Sequence, residues 1–467
     1  MNNFLYIGLA VTLLIIVGLS IWSGTQTKKS TRNSTPVVAG VVMGTLVGGS
    51  STVGTAQLAF QFGMSAWWYT LGAGISCLIL ALVYTKPLRR SGCPTLVGII
   101  RKEYGPKVGM SVSVLSSVGT FINVIPQVIA ATAVLAVVFP SLGLAAEVAF
   151  SVIFMILYVI FGGTKGAGII GIVKMVLIYL TMLVSARMVL NMAGGLSAFT
   201  DMLRSIPDEN GVRFTSLFAR GVGTELGACL SVLLGVITTQ TYAQGVLSGR
   251  TDKDGVRGAL ISAFLIPPIG IGGILVGLYM RANAALYSGV TAKTALTAFI
   301  TAHMPPLLAG IILGVLFITV VGTGAGIVLG ISTTLANDIL AQLIPKLNTQ
   351  SAKAILSKVV IVFVLSLAGL LACGPLGDTI LQFTYMSMGL RGAVVFLPLA
   401  CALWLPGRIP SRYAMCAAIA GPIAVLIFGL WGVLPFDPLF VGVAAAFCIM
   451  AAGLLSQRTH PIHKKIP

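Results

Sequence analysis

Apolar stretches of about 20 residues follow one another along almost the whole chain, each long enough for a helix to cross the hydrocarbon core of a bilayer. Inside such a core every backbone N–H and C=O must be satisfied within the segment or by a neighbouring strand, so only helices and closed barrels can span it. The stretches lack the alternating pattern, about ten residues long, of a membrane barrel. A soluble alternative fails on composition. Of 467 residues, 57% are hydrophobic and 9% charged, whereas a soluble domain carries roughly 25% charged residues. The expected fold is an all-α membrane protein.

The apolar runs divide into about thirteen spans. The first runs from Phe4 to Trp22. The rest cover approximately 37–62, 64–86, 107–139, 143–162, 167–194, 220–247, 256–281, 306–342, 353–373, 376–402, 411–433 and 436–456. The first run has no basic segment before it and no small-residue cleavage site after it, so it is read as a retained span and not a signal peptide. The long pieces around Pro126 and Pro305-Pro306 are expected to contain kinks or short flanking helices.

The formal charge of +18 would suggest nucleic acid in a soluble chain. Here it reports topology. Lys28, Lys29, Arg32, Lys86, Arg89, Arg90, Arg101, Lys102, Lys107, Lys165, Lys174, Arg250, Lys253, Arg257, Lys346, Lys353, Lys358, Arg408, Arg412, Arg458, Lys464 and Lys465 are read as loop residues on one side. Arg187, Arg204, Arg213, Arg220, Arg281 and Lys293 fall on the other. The positive-inside rule then places the N-terminus outside and the C-terminus in the cytoplasm of a cell-membrane protein. The lipid bilayer and a small solute are the expected partners, and nucleic acid is not. Most of the seven cysteines lie within spans (Cys77, Cys229, Cys401, Cys448) and form neither a disulfide framework nor a metal spacing.

Charges inside a span are costly and invite a functional reading. Glu147, Glu225, Asp338 and Asp378 fall near span ends, where a helix cap or interfacial carboxylate explains them. Arg391 lies well inside its span. Two readings stand for it: a cavity-facing cation for an anionic cargo, or a side chain satisfied by backbone carbonyls. The second span contains Gly48-Gly-Ser-Ser51 with Gly54 close by. Each glycine costs about 1 kcal/mol of helix propensity relative to alanine, and a discontinuous helix at this depth is how transporters expose carbonyls to cations and helix N-termini to anionic groups. Close helix–helix packing through small residues is the alternative. Thr238 to Tyr242 and Thr319 to Thr323 put further hydroxyls within spans. Asn123 and Gln127, four apart, share a face that lines a path or ties two helices. There is no His-Glu-x-x-His, no phosphate-binding glycine loop and no paired acid cluster, so an enzyme is not expected.

The order of these motifs resembles the sodium/solute symporter family, which includes proline, pantothenate and sugar symporters, from about Val37 to Leu430. The likeness rests on the broken second span followed by Phe62-Gly63 and Trp67-Trp68-Tyr69, and on the amphipathic segment Thr95 to Gly105. Phe161-Gly-Gly-Thr-Lys165, Gln240 with Gln244, Arg257-Gly258, Ser332 to Asp338, and Leu390-Arg391-Gly392 with Pro398 complete it. The resemblance implies the leucine-transporter fold, a five-plus-five inverted repeat. The repeats would be 37–194 and 220–402, with an extra N-terminal helix and loop at 1–36 and two C-terminal helices and a tail at 403–467. It also implies alternating access coupled to Na+, with proton-coupled, uncoupled or solute-sensing variants as alternatives. Carried over by position, the sodium ligands fall on Gly44, Val47, Thr319, Gly322 and Thr323. The family usually has adjacent hydroxyl residues on the eighth core helix, and this chain has Gly322 before Thr323. The candidate solute contacts are Gly48, Ser50, Ser51, Thr239, Gln240 and Arg391, for a small polar or anionic solute such as an organic acid or amino acid.

Overall fold

The computed structural model describes residues 3–26, 32–162, 167–206, 213–287, 289–340, 349–374, 380–431 and 436–459, with 344 and 434. Among the described residues the secondary structure is helical apart from one isolated bridge, Asn33 to Gly249. In chain order the helices are α1 (Asn3–Gln26), α2 (Thr35–Leu46), α3 (Thr55–Phe62), α4 (Trp67–Ile79), α5 (Thr85–Arg90), α6 (Leu96–Tyr104) and α7 (Pro106–Ile122). They continue with α8 (Val124–Val138), α9 (Leu144–Gly162), α10 (Ala167–Met192), α11 (Leu196–Arg204), α12 (Val222–Thr238), α13 (Gln240–Leu247) and α14 (Asp252–Ala282). The last are α15 (Ala295–His303), α16 (Pro306–Thr334), α17 (Gln350–Ala372), α18 (Ile380–Trp404), α19 (Ser411–Trp431) and α20 (Leu439–Thr459).

Each expected crossing coincides with a helix or a broken helix of this series. Among the described residues nine helices are long and apolar enough to cross a membrane, or ten if the bent pair α12–α13 is one span. Shorter apolar helices at Asn3–Ile16, Thr35–Leu46 and Leu144–Ile160 supply the remaining segments. The expected irregularities have local causes. Asn123 ends α7 three residues before Pro126, whose ring cannot donate to the preceding turn. The short helix α15 precedes Pro305-Pro306, where α16 starts with proline in its first turn. Gly63 adopts φ +68, ends α3, and leads through a 3-10 turn at Gly63–Ala66 into α4.

The broken second span lies at the centre. Residues 46–60 are buried without exception, and α2 and α3 pack against α10, α13, α14 and α16, with α8 and α18 on the π-helical turn Ser50–Gly54 between them. The lipid side is marked by exposed large apolar residues such as Leu14 on α1, Leu183 on α10, and Phe363 and Leu370 on α17. Such side chains need a hydrocarbon environment. The N-terminal α1 packs along α16, and α19 and α20 pair with each other against α18.

Many of the basic residues read as loop residues lie in helices: Lys86, Arg89 and Arg90 in α5, Arg101 and Lys102 in α6, Lys107 in α7, Arg204 in α11, Lys253, Arg257 and Arg281 in α14, Lys353 and Lys358 in α17, and Arg412 in α19. Lys174 is not a loop residue: it lies two turns into α10 and is buried. Arg187 also lies within α10 and is exposed. An apolar helix of this length continues through either residue because an isolated long basic side chain lowers helix propensity little. Lys28, Lys29, Lys165, Lys346, Asp378, Lys464 and Lys465 lie outside the described residues.

Candidate functional site

The glycine-serine cluster breaks the second span as its composition suggests. The regular α2 ladder ends where the Val47 N–H donates to the Met43 carbonyl at 2.8 Å, and Val47 itself is extended (φ −86, ψ 105). The next two amides leave the ladder. Gly48 N–H donates to Ser51 Oγ at 2.9 Å, and Gly49 N–H donates to Gln127 Oε1 at 3.1 Å. The Gly48 carbonyl accepts from the hydroxyls of Ser51 and Thr52. Ser50 Oγ lies 2.7 Å from Thr384 Oγ1 on α18 and accepts from Gln127 Nε2 at 3.4 Å. Side chains from α8 and α18 thus satisfy polar groups that would otherwise be stranded in an apolar interior. Gly48 is required sterically, because a Cβ there would meet Thr323 at 2.7 Å.

Freeing the Gly48 amide also frees the Gly44 carbonyl, its partner in a continuous helix. That carbonyl accepts from Lys174 Nζ at 2.7 Å, and the same ammonium donates to Thr323 Oγ1 at 2.7 Å. Thr323 in turn donates to the Val47 carbonyl at 3.4 Å. Of the residues carried over as sodium ligands, Gly44, Val47 and Thr323 therefore converge. Thr319 is near: its buried hydroxyl has no hydrogen-bond partner and lines, with Lys174 and Tyr158, a cavity of about 20 Å³. Gly322 offers no side-chain oxygen, and a Cβ there would lie 3.3 Å from Tyr158 Oη. The oxygens suit a monovalent cation, but the cation in contact with them belongs to Lys174. Two unit charges about 4 Å apart repel by about 4 kcal/mol even at an effective dielectric of about 20. The set therefore does not fit a free sodium ion while the ammonium is in place. The sequence reading missed Lys174. Its signal was a lysine within an apolar span, in a chain lacking one of the expected hydroxyls.

A second break was also missed, and the cavity beside it is not lined by Gly48, Ser50 or Ser51. α12 and α13 meet at 52°, with Thr239 extended between them (φ −89, ψ 123). Neither glycine nor proline marks this break in the sequence. Thr239 Oγ1 accepts from Arg391 Nη1 at 2.8 Å and donates to the Gly235 carbonyl. Arg391 is 1% exposed. Its Nε donates to the Ser387 carbonyl at 3.2 Å, and its Nη2 has no partner. Together with Ser117, Thr120, Thr238, Thr239 and Gln240 it lines a cavity of about 60 Å³. Gln240 is also a tie between elements, since its Oε1 accepts from the Leu96 amide and its Nε2 donates to the Pro94 carbonyl. Ser51 is turned back onto Gly48, while Ser50 reaches Thr384. Asn123 and Gln127 fall on either side of the α7–α8 break, and Gln127 is the one that reaches the broken span.

At the end of the bundle where α3 terminates, the buried carboxylate of Glu225 pairs with Arg220 at 2.8 Å. The Arg220 guanidinium stacks on Phe62 and Tyr385, at 5.6 and 6.0 Å from the ring centroids. Glu225 thus has a specific partner in addition to its place in the first turn of α12.

The profile of the sodium:solute symporter family matches residues 30–421. The human high affinity choline transporter 1 is 24% identical over 469 residues, covering 92% of this chain and 77% of its own length. A Caenorhabditis elegans high-affinity choline transporter is 25% identical over 56% of the chain and 48% of its own. Among solved structures, a Na+-coupled sialic acid symporter in a substrate-bound outward-open state superposes with a TM-score of 0.78 at 17% identity, covering 98% of both chains. Inward-facing Mhp1 gives 0.57 at 14% identity, covering 92% of both. The fold is the leucine-transporter fold.

Proposed function

The chain belongs to the sodium:solute symporter family, and from that premise we propose that it carries a small anionic solute by alternating access through the cavity at the α12–α13 break, bounded by α7, α16 and α18. It is a multi-pass membrane transporter, not an enzyme. The observation that carries the cargo class is Arg391. A guanidinium buried to 1% exposure, with Nη2 unpaired and no carboxylate among its hydrogen-bond partners, is costly in a membrane interior. A carboxylate or similar group reaching the cavity offsets that cost with a charge-assisted hydrogen bond. The hydroxyls of Ser117, Thr120, Thr238 and Thr239 supply further polar contacts to a small molecule.

The choline of the relatives' names is a quaternary ammonium compound, and two observations speak against carrying it over. The cavity already holds an unneutralised cation. The faces of Phe62 and Tyr385, which would suit a quaternary ammonium group, are covered by Arg220. In this reading the repeats at 37–194 and 220–402 rock against each other around the site. No step is routed through sodium at Gly44, Val47 and Thr323, since those oxygens are engaged with Lys174 and with one another.

The test is a thermal-shift screen of small carboxylates, neutral solutes and choline on the purified protein, followed by uptake into proteoliposomes. A stabilising carboxylate that is also transported, with affinity lost in Arg391→Gln, is the expected result. Choline stabilising the protein equally well in the wild type and in Arg391→Gln would overturn the anionic reading.

A further inference from the structure

The crossing of α10 over α2 sets up an unusual contact. The two helices meet at Gly171 and Gly40, so closely that a Cβ at Gly171 would overlap the Gly40 carbonyl. One turn further along each helix, Lys174 faces Gly44, the residue whose carbonyl the break has released. From this geometry we propose that Lys174 is a built-in substitute for a sodium ion at the junction of α2, α10 and α16, and that the chain operates without sodium at that position. The inference rests on the transporter reading but concerns the ion and not the solute.

The position is defined by the oxygens and not by the lysine alone. The Gly44 carbonyl, the Val47 carbonyl and the Thr323 hydroxyl converge where the ammonium makes two hydrogen bonds of 2.7 Å. The orphan hydroxyl of Thr319 borders the cavity beside it. At Gly322 the oxygen set is one hydroxyl short, which weakens it for a bare ion held only by its ligands more than for a three-donor ammonium carried on a side chain.

The surrounding charges agree. α1, α2 and α16 carry no charged residue. From α9 the cavity receives Tyr158, while Glu147 sits in the first turn of that helix. α14 has Asp252, Lys253, Asp254 and Arg257 in its first two turns and Arg281 in its last. α10 itself adds Tyr179, bonded to the Leu265 carbonyl, and exposed Arg187. Among the described residues no carboxylate pairs with Lys174. A sodium ion brought to the same oxygens would meet the ammonium with no negative charge between them.

The substitution has a mechanical meaning. An ion from solution ties α2 to α16 only while it is bound, whereas a tethered ammonium makes the tie whenever the helices meet. A purely structural lysine differs in one respect: removing it leaves no ion site behind. Removing a substitute exposes the carbonyls of Gly44 and Val47 and the hydroxyls of Thr319 and Thr323 to a cation.

The experiment follows thermal unfolding of the purified full chain, without solute, in sodium against potassium chloride at equal ionic strength. Binding to the folded state raises stability with ion concentration by mass action. The wild type is expected to be indifferent to the choice of cation. Lys174→Ala and Lys174→Gln are expected to gain a saturable, sodium-selective rise in Tm, which adding Thr323→Ala to Lys174→Ala abolishes. A sodium-selective rise in the wild type that Thr323→Ala removes would overturn the proposal, as would folded Lys174→Ala and Lys174→Gln proteins that both ignore sodium. If neither variant folds, the wild type and Thr323→Ala decide whether the position works without sodium, and a sodium-selective rise lost in Thr323→Ala overturns the proposal. No solute is present, so a failed cargo screen does not touch the outcome.

Discussion

Two buried cations, Lys174 and Arg391, occupy the centre of the molecule and differ in how far they are satisfied. Lys174 is held by a carbonyl and a hydroxyl at 2.7 Å, while Arg391 keeps an unpaired Nη2 beside a polar cavity. In the proposed reading the first serves the scaffold and the second a ligand, and this difference in satisfaction is what supports separate roles. A third titratable group, outside the spans, makes its own prediction. His303 ends α15, its Nε2 lies 2.6 Å from Tyr287 Oη, and burial holds its imidazole below the ordinary range. A depressed folded-state value means that stability is present above the ordinary pKa, about 6.5, and is lost as pH falls through the lowered folded value. Thermal unfolding followed between neutral and mildly acidic pH should show this loss in the wild type and a flatter profile in His303→Gln. Identical profiles would remove His303 from the acid response.

At the scale of elements, the broken second span depends on neighbours for its stability. Gln127 of α8 is the main external support, accepting from the Gly49 amide and donating to Ser50. Gln127→Leu keeps the volume but strands a buried N–H, at a cost of about 1–3 kcal/mol. A clear fall in Tm together with weakened solute binding is expected. A normal Tm would show that the break satisfies its own amides. This break was legible in the sequence because glycine and serine are poor helix formers and stand together in an apolar run. The break at Thr239 was not, because threonine and glutamine neighbours carry no such mark and its extended conformation is imposed by contacts with α18 and α6. Lys174 was misread for a related reason. Two turns from the start of an apolar run, a lysine resembles one that reaches back to the interface, and only the approach of Gly40 to Gly171 reveals which way it is directed.

For the whole molecule, hydropathy located the long apolar helices among the described residues, since each helix must be apolar enough to enter lipid whatever it later packs against. Orientation rests on loop charge alone and makes a prediction. Cys373 follows α17 and is exposed, whereas Cys93 precedes α6 and Cys416 lies near the start of α19, at the opposite ends of their crossings. With the N-terminus outside, a membrane-impermeant maleimide on intact cells should label Cys373, and Cys373→Ser should abolish the signal. Labelling that survives this substitution and disappears in Cys93→Ser or Cys416→Ser would invert the topology.

The tether on Lys174 also has an electrical consequence. A dissolved ion that crosses with its cargo adds its charge to every turnover, so one sodium travelling with one monovalent anion moves no net current. A charge fixed to the polypeptide returns with the empty carrier, so this position adds nothing to the steady current, and without another coupled cation the current carries the sign of the solute. For an anion entering against a negative interior, the membrane voltage becomes a load of about 2.3 kcal/mol per 100 mV, and the same voltage assists the anion on its way out.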